Sequence, residues 1–80
     1  MGIRIIFSEH SLLKLKQRNI AKQKVIQTIR KPDVILPSLS KRMLVYKKFG
    51  ALHLKVVFIK ENDTIVIITQ HWDQQFTRKI

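Results

Sequence analysis

The segment that most constrains the fold is Thr64–Thr69, which reads TIVIIT and is almost continuously β-branched. An unbroken apolar run of this kind is typical of a strand that is buried on both faces, because an alternating pattern would leave one face polar. The run therefore predicts the central strand of a sheet, covered on both sides.

Other segments predict the neighbouring strands. Residues 42–49 and 52–60 are rich in β-forming side chains and are joined at Gly50-Ala51, where glycine supplies the positive φ that a hairpin turn needs. Residues 61–63 predict a second turn. Residues 3–7 alternate as a short first strand, and residues 34–36 form a brief strand ended by Pro37.

Two helices are expected between the first two strands. Ser8 is a suitable N-cap for a helix over residues 9–18 that Asn19 ends, and a second helix follows at about 21–31 before Pro32. At about 100° per residue, an apolar arc of the first helix opposes a stripe formed by His10, Lys14 and Arg18. The residues expected in the arc are Leu12, Leu13, Leu15 and Ile20, and those of the second helix's buried stripe are Ala21, Val25, Ile26 and Ile29.

The resulting order, β-α-α-β-β-β-β, predicts an α+β fold with two antiparallel helices packed on one face of a twisted, mostly antiparallel sheet. The 80 residues are too few for two cores, so we expect a single domain over 1–80. The chain has no cysteine, which fits a cytoplasmic location, and no apolar run long enough to span a bilayer.

The charge indicates an anionic partner. Sixteen Lys and Arg against five Asp and Glu give a net charge of +11, and no acidic residue lies between Glu9 and Asp33. Such charge repels itself in a compact chain, and nucleic acid is its commonest partner. A Lys-rich surface that serves stability or solubility without any site is the alternative.

Several segments together resemble a known family. They are Ile6-Phe7-Ser8-Glu9-His10, then Lys14, then Arg18-Asn19-Ile20, and Lys31-Pro32-Asp33. In this order they resemble a small prokaryotic domain of unknown function, DUF4258, which is similar to the RelE/ParE-like and BrnT toxins of type II toxin-antitoxin systems. The family usually has Arg at the position of Lys14 and often Gly at that of Asn19.

The resemblance implies a RelE/ParE-like fold and a toxin-like protein. RelE-like members cleave messenger RNA on the ribosome without metal, whereas ParE-like members poison DNA gyrase, so the fold alone does not choose an activity. It also implies an acidic antitoxin as a possible protein partner.

Metal-free RNA cleavage needs a base, an acid and cations around the phosphate. His10 is the first candidate for the base, with Arg18 holding a phosphate, and His71 is the second acid-base candidate. Tyr46 is flanked by cations and is the fourth catalytic candidate. Structural roles are open for each of them: His10 could cap its helix, Arg18 could pin the helix end to a carbonyl or to Asp33, and Tyr46 could pack at a sheet edge.

Further basic side chains are candidates for nucleic-acid binding: Lys14, Lys41, Arg42, Lys47, Lys48, His53, Lys55, Arg78 and Lys79. The three histidines lie in separate elements without the short spacing of metal ligands, so we expect neither a metal nor another cofactor.

The sequence thus favours a toxin-like, RNA-binding, metal-independent endoribonuclease. A non-catalytic basic module of the same fold, which binds RNA, the ribosome or a protein, is the alternative. In a third interpretation the chain is a structural domain whose charge serves the interior of a complex.

Overall fold

Five strands and two helices make up the protein in a computed structural model that describes residues 2–73. The elements in chain order are β1 (Arg4–Phe7), α1 (Glu9–Gln17), α2 (Lys22–Arg30), β2 (Val34–Pro37), β3 (Arg42–Phe49), β4 (Leu52–Glu61) and β5 (Thr64–Asp73), with a 3-10 turn at Leu39–Lys41. The sheet order is β1-β5-β4-β3-β2; β1 pairs with β5 in parallel and the other pairs are antiparallel. The predicted α+β order and mostly antiparallel sheet are confirmed.

The prediction that the β-branched run is the central strand is wrong. The middle strand is β4, which lies between β3 and β5. β5 is an inner strand only over Thr64–Ile67, because β1 ends at Phe7. A β-branched run indicates that a strand is buried, but burial alone does not fix the position of the strand in the sheet.

The first helix, α1, begins and ends as local chemistry dictates. The Ser8 hydroxyl accepts a hydrogen bond from the Ser11 N–H at 3.1 Å and donates one to the Ile68 carbonyl at 3.2 Å, so the N-cap also ties α1 to β5. Asn19 has a φ of 54°, and the Ile20 N–H bonds back to the Leu15 carbonyl at 2.9 Å. This is the Schellman ending that the asparagine predicts.

A polar pair lies at the centre of the contact between α1 and β5. The Ser11 hydroxyl donates to Gln70 Oε1 at 2.6 Å, and Gln70 Nε2 donates to the Ser11 carbonyl at 2.9 Å, with both residues fully buried. Leu15 and Ile20 are buried as predicted, whereas Leu12 and Leu13 are 41% and 54% exposed. The predicted arc is therefore wrong for these two leucines, because Ser11 occupies the contact face.

In α2 the buried positions are Val25 and Thr28, and the Thr28 hydroxyl donates to the Lys24 carbonyl at 2.7 Å. Ala21 is exposed, in contrast to the predicted stripe, because it precedes the first turn as the N-cap. The side chains of both helices meet one sheet face in a common core of Leu15, Ile20, Val25, Val45, Leu54, Val56, Phe58, Ile65 and Ile67.

A β-bulge interrupts the pairing of β4 with β5. Phe58 pairs with Ile67 and Val57 pairs with Thr69, so Ile68 has no partner in the register. Because side chains alternate along a strand, the extra residue reverses which side chains face the helices. Gln70 consequently faces the helices, and Thr69 and His71 face away from them.

Within residues 2–73, neither helix has the length and apolar content needed to cross a membrane.

Candidate functional site

We call the sheet surface opposite the helices the open face, and a row of three side chains crosses it. Tyr46 on β3 pairs with Lys55 on β4, and Lys55 pairs with His71 on β5. Neighbouring strands lie about 4.8 Å apart, so Lys55 stands midway between two side chains about 10 Å apart. We call Tyr46, Lys55 and His71 the cross-strand row.

Tyr46 is buried, and the Lys55 ammonium lies 5.9 Å from the centroid of its ring. This is a cation–π contact, which uses one face of the ring. A base cannot stack on the ring face that Lys55 covers.

Arg18 joins the row from the end of α1. Its Nη1 donates to the Gln70 carbonyl at 2.8 Å and to the Thr69 hydroxyl at 3.4 Å. The carbonyl is accessible because β1 ends at Phe7 and leaves the later part of the β5 edge without a strand. Arg18 Nε and Nη2 have no hydrogen-bond partner among residues 2–73. The guanidinium therefore pins the helix end to a carbonyl, and residues 2–73 leave its Nε and Nη2 donors open to another ligand.

The pKa of His71 is lowered from its ordinary value of 6.5, first by burial and then by the positive charges of Lys55 and Arg18. The Asp73 carboxylate opposes this by raising the pKa. Burial and the two cations act on the imidazolium form, which they disfavour. The lowered pKa therefore favours the neutral imidazole at pH 7, and a neutral imidazole can accept a proton.

The structure brings three of the four catalytic candidates, Arg18, Tyr46 and His71, to the open face or its rim. His10 is the exception, since it is exposed in the first turn of α1. Eight positions of helix separate it from Arg18, or about 12 Å along the axis. Lys14 lies between them and donates to Gln17 Oε1 at 3.0 Å.

The candidates for nucleic-acid binding divide between the two faces. Four of them share the open face with His71: Arg42, Lys48, His53 and Lys55. Side chains alternate along a strand, and the positions next to these four in β3 and β4 face the helices. Lys47 points to the helix side, where its ammonium donates to the Lys31 carbonyl at 3.0 Å. Lys41 lines a cavity on the helix side. Arg78 and Lys79 lie outside the described residues.

Thr69 is a site residue that the sequence did not indicate. Its hydroxyl accepts from Arg18 and shares the open face with His71. In the sequence it closes a β-branched run, and only the bulge at Ile68 shows which way it points. Among residues 2–73, no three His, Asp or Glu side chains are grouped so as to hold a metal ion.

Two helices on one side of a five-stranded mixed sheet, with the order seen here, define a RelE-like toxin fold. A similar solved structure is the 1.1 Å crystal structure of the ribonuclease toxin BrnT from Brucella abortus. It matches with a TM-score of 0.73 at 14% identity, covering 92% of this chain and 100% of the BrnT chain. The fold inferred from the resemblance is confirmed.

The family is shown by sequence. The family model described as a domain of unknown function, DUF4258, matches residues 7–69, and the chain belongs to this family. A search of curated proteins finds no match to the sequence.

Proposed function

We propose that this protein is a toxin-like endoribonuclease that binds RNA on the open face and cleaves it by general acid–base chemistry without metal. The observation that carries the proposal is His71, a neutral imidazole placed beside Lys55 and Arg18. The fold is shared with a protein described as a ribonuclease toxin, which supports RNA cleavage as the activity.

In the proposed reaction, the RNA 2′-oxygen attacks the adjacent phosphorus and the 5′-oxygen of the next nucleotide leaves, which gives a 2′,3′-cyclic phosphate. His71 accepts the proton of the 2′-hydroxyl. Lys55 and the Nε and Nη2 donors of Arg18 stabilise the negative charge that develops on the phosphorane. The leaving oxygen takes a proton from an acid, for which Tyr46, across Lys55 from His71, is the candidate on the open face.

The remaining basic side chains of the open face hold the RNA backbone in this proposal. Arg42, Lys48 and His53 lie on β3 and β4 around the cross-strand row. Phosphate contacts of this kind are independent of sequence and depend on salt.

The test is cleavage of a labelled RNA by single variants. We expect His71→Gln to lower the rate by roughly 10²–10⁴-fold, the contribution typical of a general base. Arg18→Lys retains a cation but loses the forked donors, so it should impair cleavage while the fold persists. Lys55→Gln removes a cation from the cross-strand row and should impair cleavage as well. Lys16→Gln, on the exposed surface of α1, is its charge-matched control.

His10→Gln separates the two histidines. A loss of cleavage in His10→Gln with full activity in His71→Gln would show that His10, and not His71, is the catalytic histidine. If His71→Gln, Arg18→Lys and a His10→Ala/Arg18→Ala double variant all cleave at the wild-type rate, the assignment of this site is wrong.

A non-catalytic RNA-binding module is favoured by one observation: Arg18 already uses Nη1 to hold β5, and such a contact can be purely structural. This alternative predicts RNA association that weakens steeply with salt and yields no cleaved product. RNA binding that is insensitive to salt would count against it.

We also propose that the chain acts in the cytoplasm as one domain over residues 1–80, paired with an acidic antitoxin. The net charge of +11 supports an anionic protein partner as well as RNA. Growth arrest on expression of the chain alone, relieved by co-expression of an acidic protein encoded beside it, is the expected result.

A further inference from the structure

Two adjoining cavities lie on the helix side of the sheet, beyond the end of α2. One has a volume of about 480 Å³ and the other about 380 Å³, and they share Ile29 and Ile65. They exist because α2 ends at Arg30, just before Pro32, and leaves the ends of the neighbouring strands uncovered. We call them together the apolar groove, lined by Ile3, Ile5, Ile29, Ile35, Met43 and Ile65.

The apolar groove has a buried floor and exposed walls. Ile65 and Phe58 belong to the core, whereas Ile3 and Ile35 on the two sides are each 55% exposed. Contiguous exposed apolar surface of this kind is uncommon on a chain that functions alone, and it marks sites where another protein binds.

The rim of the groove is positively charged. Arg30, Lys41 and Lys60 stand around it, and no acidic residue within 2–73 lines either cavity. An apolar floor with a basic rim complements an amphipathic segment that has apolar side chains on one face and carboxylates beside them. Nucleic acid does not match this surface, since its phosphates would find cations but its backbone has no apolar face to bury.

We infer that the apolar groove binds an amphipathic, acidic helix of a partner protein. The inference rests on the acidic partner of the proposed function and names where that partner sits. The groove lies on the helix side and the cross-strand row on the open face, so the partner occupies a surface separate from His71. The helix itself therefore does not cover the cross-strand row, and an RNA bound there leaves the groove accessible.

The test uses a fluorescent synthetic helix of 18 residues, with Leu at the i, i+3, i+4 and i+7 positions and Glu at the others. A second peptide carries Lys in place of Glu. Fluorescence anisotropy measures the affinity of each for the wild-type chain, for Ile35→Glu and for Leu13→Glu. The last is a matched control, because Leu13 is 54% exposed, close to the 55% of Ile35, but lies on α1 outside the groove.

We expect the acidic peptide to bind the wild-type chain and Leu13→Glu alike, and Ile35→Glu at least tenfold more weakly. Lys60→Glu, which reverses one rim charge, should weaken binding as well. Circular dichroism checks that each variant folds. An added RNA oligonucleotide should leave the peptide affinity unchanged.

Three results would overturn the inference: no binding of the acidic peptide, equal binding of the basic peptide, or wild-type affinity in both Ile35→Glu and Lys60→Glu. A dimer of the chain that Ile35→Glu dissociates would show instead that a second copy fills the groove. The peptide assay requires no cleavage, so a wild-type chain that binds the peptide but cleaves no RNA would refute only the proposed endoribonuclease.

Discussion

The buried pair of Ser11 and Gln70 allows a quantitative test of how α1 is held on the sheet. Ser11→Ala removes the donor of the 2.6 Å hydrogen bond and leaves Gln70 Oε1 buried without it. An unsatisfied buried polar atom costs about 1–3 kcal/mol. Gln70→Leu leaves the Ser11 hydroxyl unpaired in the same way, so we expect a similar loss.

The double variant Ser11→Ala/Gln70→Leu shows whether the lost stability comes from an unsatisfied polar atom. With both polar groups replaced by apolar ones, neither is left unsatisfied, and the combined cost should fall below the sum of the single costs by about 1–2 kcal/mol. Urea unfolding followed by the fluorescence of Trp72, the single tryptophan of the chain, measures each free energy of unfolding. In thermal unfolding, each kcal/mol lowers the midpoint by about 4–8 °C.

Ser38→Ala is the matched control for these variants, because Ser38 is exposed. Loss of its hydroxyl should change the free energy of unfolding by less than about 0.5 kcal/mol. Single costs that are equally small, or costs that add fully in the double variant, would refute the conclusion that the pair is coupled and buried.

Three further predictions follow from the contacts. In an NMR titration the pKa of His71 should lie below 6.5, and Lys55→Gln should raise it by removing a cation. As the pH falls, His71 takes up its proton at a higher pH in the unfolded chain than in the folded one. The free energy of unfolding should therefore fall as the pH drops from about 6.5 through the folded pKa, and His71→Gln should abolish this slope. Asn19→Gly should preserve stability, whereas Asn19→Val should lower it by about 1–2 kcal/mol in urea unfolding, since φ is 54°. Lys24→Met should cost at most about 1 kcal/mol and shift Trp72 emission, because the ammonium lies 5.4 Å from that ring's centroid.

The elements that were predicted from the sequence are those fixed by neighbours along the chain. Ser8 caps α1 through a residue three positions away, Asn19 ends it through its own φ, and Gly50 turns the hairpin with a φ of 65°. Such signals need no knowledge of the rest of the fold, which is why these boundaries agree within a residue or two.

The candidate site depends on contacts between residues far apart in sequence. Strict alternation from Ile65 and Ile67 would turn His71 under the helices, and only the unpaired Ile68 turns it outward. The exposure of Leu12 and Leu13 likewise depends on Gln70, a partner 59 positions from Ser11. Nonlocal pairing therefore explains why His10 ranked above His71 on sequence alone.

The bulge also affects how a protein of this fold can change during evolution. Without Ile68, Thr69 would follow Ile67 directly and pair with Val57 as before, so Gln70 would still face the helices and His71 the open face. The bulge can therefore absorb the insertion or deletion of one codon without changing which side chains reach the site. Relatives that differ in length by one residue at this position could keep the same histidine-bearing surface.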